Sequence, residues 1–514
     1  MSLIRVCVLI GASLATVNAA TSSPVVNLGY AQYQGALNTT TNVTTFMGIR
    51  YASPPTGTLR FQAPQAPATV SGVQIANVIA PTCLQGIGGD SPNQPFPIQK
   101  RASPASEDCL FLNVFLPGTL SPHAKLPVIV WIHGGGYATG SMIGADGTDL
   151  IQDGQGGVVV VAIQYRLGAF GFLAGAEVKK NGVLNAGLLD QQFALQWVQK
   201  HIASFGGDHN KVTIWGESAG AGSVLQHVVA HGGRTNPSLF QKAITSSTFL
   251  PFQYPFDGVV PEAIYSAVVN QTNCTSALDT FACVQAIDAS ILETANNNIA
   301  FSGFEGTFVF VPVVDGSFIV ERPTQTFARG TVNGQVYHGV TNSFEGANFV
   351  STKIPLTTLT AYVTKLFPAF GPTQVSQVVD TYSNIGLNGT FNQAVGIIGE
   401  CIFICPTYFM LKAFPLSHKG EFAIPPARHG GDVPYYFPGV PGFNNTAFIK
   451  SFSQSFLAVA KFGDPNMTPD PENITPQWNA YALGDTEMVF NKTDAGLPDI
   501  HPSATDPALI SRCK

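Results

Sequence analysis

Charge is what this chain has least of. Asp, Glu, Lys and Arg make up 11% of its 514 residues, the net charge is −6, and no Lys/Arg cluster of the phosphate-binding kind occurs. A nucleic-acid partner is therefore not expected. Long apolar runs are missing too. Beyond the N-terminus the strongest is VVVVAI at 158–163, the length of a buried strand and far short of a membrane span. No stable membrane insertion is expected. Internal repeats and low-complexity linkers are absent, so nothing marks a domain boundary, and residues 21–514 read as one unit. The tail ALISRCK carries neither a retention signal nor a lipid-anchor pattern.

What is present points to export. MSLIRVCVLIGASLATVNAA has one early cation at Arg5, an apolar stretch from Val6 to Val17, and small residues near Ala19 and Ala20. That is the pattern of a secretory signal peptide over residues 1–20. Nine N-x-S/T sequons follow, at Asn38, Asn42, Asn270, Asn273, Asn388, Asn444, Asn466, Asn473 and Asn491. In a secreted chain these are candidate glycosylated surface positions. Seven cysteines remain once Cys7 is removed with the signal, and an oxidising compartment would pair most of them. The expectation is a secreted, extracellular protein.

Short Val/Ile-rich segments bounded by Gly, Pro or Asn predict strands: PVIVWIH at 127–133, VVVVAIQY at 158–165, KVTIWG at 211–216 and KAITS at 242–246. Helical periodicity fills the intervals, as in LLDQQFALQWVQKHIASF at 188–205. Strands apolar on both faces, alternating with helices, predict a mostly parallel α/β sheet covered on both sides. Residues 255–410 read as a more helical insertion between late strands. Ligands of such sheets bind beyond the carboxyl ends of the strands.

Two chemistries compete within VTIWGESAGAGSVLQHVVAH, residues 212–231. Ser218 sits in Gly216-Glu217-Ser218-Ala219-Gly220, between a strand signal and a helix signal. Glycines two residues to either side permit the sharp strand-to-helix turn that exposes a nucleophilic hydroxyl. His227 and His231 have the i, i+4 spacing of a zinc-binding helix, but VVA lies between them and the glutamate base is missing. The serine is the stronger candidate, and no metal site is expected.

A serine nucleophile needs an oriented base and donors aimed at the oxyanion. His133-Gly134-Gly135-Gly136 ends a strand, and its glycines leave backbone N–H groups free to face a substrate oxygen. Among late histidines, His338 lies inside a strand-like run, and His418 and His501 among polar loop residues. His429, in ARHGGDVPYYF, is flanked by a glycine pair and followed by an aromatic run, and is the favoured base. For the orienting acid, Asp315 in VFVPVVDGSF and Glu345 in GVTNSFEGANF are equally placed: both follow apolar strands and precede glycine.

With these residues in view, the chain resembles the type-B carboxylesterase/lipase family of the α/β-hydrolase fold, which includes cholinesterases and secreted fungal esterases and lipases. The resemblance rests on FMGIRYASPPTGTLRFQAP at 46–64, SEDCLFLNVFLP at 106–117, VIVWIHGGGY at 128–137, LLDQQFALQWVQKHIASFGGD at 188–208 and VTIWGESAG at 212–220. It implies a large, mostly parallel central sheet flanked by helices, with helical insertions over the active site. It also implies Ser218 as nucleophile, His429 as base and Glu345 as acid, since Glu345-Gly346-Ala347-Asn348-Phe349 matches the family's acid block and Asp315 matches a structural one. The oxyanion donors fall on the N–H groups of Gly135, Gly136 and Ala219. Glu217 and Asp432 fall on a buried polar support. Phe344 departs from the acidic residue or Asn that usually precedes the acid. No cofactor is implied.

The resemblance pairs Cys83 with Cys109 and Cys274 with Cys283. The first loop would contribute roughly 3.5 kcal/mol by the chain-entropy model. Cys401 and Cys405 are expected on one helix, where parallel side chains pair poorly. That predicts Cys405–Cys513, with Cys401 a buried free thiol. The Cys83–Cys109 loop is rich in Gly and Pro, a poor source for an amphipathic lid. It also lacks the tryptophan with which cholinesterases grip a quaternary ammonium. The family's acyl-pocket positions fall on Tyr137, Gly222, Asn348 and Phe349. Gly222 and Asn348 are small or polar there, which predicts a roomy, rather polar pocket open to aromatic acids such as hydroxycinnamates. The expected function is hydrolysis of soluble short- to medium-chain or aromatic carboxylic esters. The expected partner is a small ester, on a monomer or weak homo-oligomer. The competing readings are a lipase or sterol esterase for long-chain esters, and a non-catalytic binding protein of the same fold.

Overall fold

A sheet of eleven strands organises the chain. The computed structural model describes residues 23–89, 104–351, 358–468 and 470–514. The signal segment at 1–20 and the middle of the Cys83–Cys109 loop, on which the lid expectation rests, lie outside the described residues. In chain order the strands are β1 Ala36–Asn38, β2 Val43–Arg50, β3 Phe111–Pro117, β4 Leu126–Ile132, β5 Val159–Ile163, β6 Gly207–Glu217, β7 Lys242–Ser246, β8 Val336–Asn342, β9 Leu416–Phe422, β10 Thr486–Lys492 and β11 Pro498–Ala504. Across the sheet they run β11-β10-β9-β8-β7-β6-β4-β5-β3-β2-β1. The strands from β10 to β5 are parallel, and β3, β2, β1 and β11 pair antiparallel at the two edges.

Residue alternation explains why the central strands look apolar throughout. Along β4, Val128, Val130 and Ile132 enter one hydrophobic cluster, while Ile129 and Trp131 enter another on the opposite face. Both faces are covered, so Val128–Ile132 are all buried, as a parallel sheet requires. Helices α1 (Ala186–His201) and α2 (Ala219–Gly233) cover the first face through Leu195, Val198, Val224 and Val228. The helix Thr446–Phe462 covers the second, where Phe456 stacks on Trp215 with ring centroids 4.7 Å apart.

β4 lies between β6 and β5, so the chain leaves β4 on one side and returns past it on the other. This is the topological switch point, where loops after neighbouring strands part and leave a crevice. The loops after β4 and β6 flank it. The 255–410 insertion is in fact two insertions. β8 interrupts it because YHGV is apolar enough to be buried between β7 and β9. Helices Val259–Gln271 and Ala289–Phe301 precede β8, and helices from Leu359 to Ala413 follow it.

Three disulfides close, Cys83–Cys109, Cys274–Cys283 and Cys405–Cys513, and Cys401 is a free thiol. Among the described residues one helical run, Gly389–Ala413, is long and apolar enough to cross a membrane, but 67% of its most apolar window is buried in the fold.

Candidate active site

Ser218 stands between the end of β6 and the start of α2 with φ 57° and ψ −126°, a backbone state that L-residues avoid. Close approach maintains the turn. A Cβ on Gly220 would lie 2.0 Å from the Ile132 carbonyl oxygen at the end of β4, so only glycine fits there. The Ser218 N–H donates to the Ser246 carbonyl of β7 at 3.0 Å, anchoring the turn to the sheet.

The glycine loop after β4 lies alongside this turn. A Cβ built on Gly134 would stand 3.0 Å from the Ser218 Cβ. Gly135 and Gly136 adopt φ of 110° and 64°, and a Cβ on Gly136 would strike the Phe308 ring at 2.0 Å. Ala219 opens α2, so its N–H has no acceptor one turn back. Gly134 and Ala219 thus border the serine turn, Ala219 at the positive end of a helix, and Gly135 and Gly136 follow directly in the loop.

Two further loops complete the cluster. Glu345 follows β8 and His429 follows β9; both are buried, with His429 Nδ1 2.6 Å from Glu345 Oε2. An ionised carboxylate only accepts, so Nδ1 carries the proton and Nε2 is the basic nitrogen. The second Glu345 oxygen accepts the Asn342 N–H at 2.7 Å, which fixes the carboxylate's orientation. Glu217 Oε1 lies 3.3 Å from His429 Nε2. Burial foremost, then the negative charge of Asp432 and Glu345, pushes Glu217 up to about 8, against the opposing pull of His429. Burial would lower the imidazole, but the charges of Glu217 and Glu345 outweigh it, and His429 is raised above its ordinary value. Asp432 is raised by burial; it accepts from Asn342 Nδ2 and the Tyr436 hydroxyl, each at 3.0 Å.

The structure therefore gathers Ser218, Glu345, His429, Gly135, Gly136, Ala219, Glu217 and Asp432 at one place. It separates Asp315, whose tie with Glu345 was open from residue chemistry. Asp315 ends no strand: its segment forms only an isolated bridge, Pro255 to Val314. Its carboxylate is occupied with Asn185 and the N–H groups of Ser317 and Phe318. His418 and His501 are not in loops but in β9 and β11, held by pairing with β8 and β10. His227 and His231 do not share a helical face, because Ala230, His231 and Gly232 leave helical geometry. Burial lowers His227 to about 3, and its Nε2 meets Gln191 at 3.1 Å. Among the described residues no cluster of three or more His, Cys, Asp or Glu is placed to hold a metal ion.

The pocket expectation needs correction. A cavity of about 330 Å³ adjoins the site, lined by Phe172, Phe249, Phe252, Phe304, Phe308 and Ile402 among others. It is apolar and aromatic rather than polar, and Tyr137, Gly222, Asn348 and Phe349 lie behind or beside it. Tyr137 is buried against Phe172 and Phe249, with ring centroids 4.9 and 5.9 Å away. A Cβ on Gly222 would fall 2.7 Å from the Tyr137 hydroxyl. Asn348 Nδ2 donates to the His429 carbonyl at 3.1 Å, and the Phe349 ring packs on the His429 ring at 5.1 Å. Both contacts steady the His429 loop. Sequence reading missed Asn342, Ser247 and Tyr436, which brace the acids; Asn342 carried one signal, as the polar end of a fully buried strand. The cavity phenylalanines carried none, since they come from three separate segments.

A doubly covered parallel sheet with a serine turn, a glycine loop and a buried His–carboxylate pair at its carboxyl edge defines an α/β-hydrolase. The carboxylesterase family model matches residues 22–381, and the chain belongs to that family as a carboxylic ester hydrolase. A secreted triacylglycerol lipase of Gibberella zeae is 35% identical over 489 residues, 85% of this chain and 82% of that one. Secreted lipase 1 of Botryotinia fuckeliana is 30% identical over 495 residues, covering 86% and 84% of the two chains. The crystal structure of Aspergillus niger EstA superposes with a TM-score of 0.84 at 31% identity, over 96% of this chain and 97% of that one. Like the first two relatives, the protein is secreted and extracellular.

Proposed function

We propose that Ser218, His429 and Glu345 hydrolyse carboxylic esters through an acyl-enzyme. The observation that carries this is the buried His429–Glu345 contact of 2.6 Å beside the serine turn. Ser218 Oγ attacks the ester carbonyl carbon while His429 Nε2 takes its proton. The oxyanion that forms is held by the N–H groups of Gly135, Gly136 and Ala219, and losing one such donor typically costs about a hundredfold or more in rate. The tetrahedral adduct collapses, the ester C–O bond breaks, and His429 returns the proton to the leaving alcohol. Water, deprotonated by His429, then attacks the acyl carbon and releases the carboxylic acid and Ser218. Glu345 holds the tautomer and stabilises the imidazolium that forms in each step.

The apolar cavity favours an apolar acyl group or an aromatic acid. Its volume, about 330 Å³, is at the low end of the roughly 300–1,000 Å³ typical of ligand pockets. That favours medium chains over the longest ones. The second reading, a lipase for long acyl chains, is supported by the relatives named as lipases. A series of p-nitrophenyl esters from acetate to palmitate, with Ser218→Ala as control, tests both. A kcat/KM maximum between butyrate and octanoate supports the proposal. A rise continuing to palmitate favours the lipase, and activity retained in Ser218→Ala overturns the mechanism.

A further inference from the structure

The long helical run Gly389–Ala413 is not uniform. Between Gly389–Gly399 and Cys405–Ala413 it opens into one π-helical turn, Glu400–Ile404. Such turns insert one residue, re-aim the side chains that follow, and gather at functional sites. Here the turn is held at both ends by the carboxyl terminus. At its start the Glu400 carboxylate accepts from Arg512 Nε and Nη2, each at 2.7 Å, and from the Tyr382 hydroxyl at 2.8 Å. Just past its end Cys405 is bonded to Cys513, the residue after Arg512. A bidentate pair and a covalent bond thus grip five residues of chain from outside.

Those residues face the site. Phe403 is fully buried, with its ring centroid 4.3 Å from that of His429, closer than Phe349 at 5.1 Å. It also packs on Phe349 and Phe249, at 5.0 and 5.5 Å. Its neighbour Ile402 lines the apolar cavity, and the Ile402 carbonyl accepts the Leu250 N–H at 2.9 Å. The same run backs the acid: a Cβ on Gly399 would stand 3.7 Å from the Glu345 Cβ. The π turn, through Phe403, and the residue just before it, Gly399, are thus wedged against the two members of the His–carboxylate pair.

We propose that the carboxyl-terminal segment Pro507–Cys513 is a positioning clamp for His429, acting through the π turn and the Phe403 ring. Phe403 is a positioning residue; it holds the imidazole against Glu345 and keeps water from it. The inference rests on His429 being the base. Its test compares Phe403→Leu, Arg512→Gln and Arg512→Lys on p-nitrophenyl butyrate, measuring kcat, KM, the acid limb of kcat/KM and the melting temperature. Removing the ring or the pair admits water to His429, which relaxes burial but also screens the Glu217 and Glu345 charges that outweigh it, so its raised pKa falls back toward the ordinary 6.5 and the acid limb moves to lower pH. The expected result is a roughly tenfold fall in kcat for Phe403→Leu with KM little changed. A smaller fall for Arg512→Gln, with both the rate and the limb recovered in Arg512→Lys, completes the expectation. A lowered melting temperature with kcat and the limb unchanged in both Phe403→Leu and Arg512→Gln makes the clamp merely structural and overturns the proposal. Activity retained in Ser218→Ala or His429→Phe would instead overturn the underlying mechanism.

Discussion

β8 and β9 hold two histidine environments a few residues apart. Within the strands, His338 and His418 sit directly across from one another. Beyond their ends, Glu345 and His429 meet in the site. All are buried, yet the histidines respond in opposite directions. His338, packed between Phe456 and Trp478, falls well below its ordinary value because burial penalises its charge and His418 and Lys419 add repulsion. His418 falls to about 4, also by burial, with Asp464 pulling weakly the other way. His429 is equally buried but is raised, because Glu217 and Glu345 face it. Burial alone makes a histidine neutral and inert. The facing carboxylates hold a buried histidine raised, and they rather than the imidazole set this environment apart.

The sharpest way to break the contrast is one substitution made in both environments. His429→Phe should reduce kcat by about 10⁴-fold or more, whereas His338→Phe, in an aromatic surround, should leave kcat near the wild-type value. A comparable loss in both would mean the two histidines differ only in packing. A smaller effect tests the carboxylates. Catalysis needs neutral His429, so kcat/KM should fall on the acid side with a limb above pH 6.5, the ordinary histidine value from which His429 is raised. Glu217, pushed up to about 8, carries its negative charge only toward and above that pH, so Glu217→Gln should lower the upper part of the limb and leave the part below it little changed; a limb that rises contradicts the assignment. The smallest effect is on stability. For His418 the folded value near 4 lies below the ordinary 6.5. Between these the unfolded chain binds the extra proton, so its contribution is complete above pH 6.5 and is lost as pH falls toward 4. Melting curves of His418→Gln should therefore lose less on acidification than wild type.

Much of the site was legible because its chemistry is tied to local backbone geometry. The Ser218 turn and the Gly134–Gly136 loop each need a strand end and glycines at fixed offsets, which a sequence displays. His429 stood out because glycines present it. The acid did not stand out by residue chemistry: Asp315 and Glu345 have the same local surroundings, the family resemblance alone favoured Glu345, and the meeting of the loops after β8 and β9 puts Glu345 against His429. The cavity was illegible for the same reason, since Phe172, Phe249, Phe308 and Ile402 share no spacing. Phe403 was hidden further, because its direction depends on a π turn that helical periodicity does not reveal. In the sheet, double burial erased the alternation that would have told the two faces of β4 apart, so strand existence was readable and layer assignment was not.

The central claim is that Ser218 is the nucleophile and His429 its base. The most direct measurement is the pH dependence of covalent labelling by diethyl p-nitrophenyl phosphate, with the adduct located by peptide mapping. The account predicts one adduct per chain, on Ser218, forming at a rate that falls on the acid side as His429 protonates and is nearly abolished in His429→Phe. An adduct on another residue, or labelling of Ser218 that His429→Phe leaves undiminished, would contradict it.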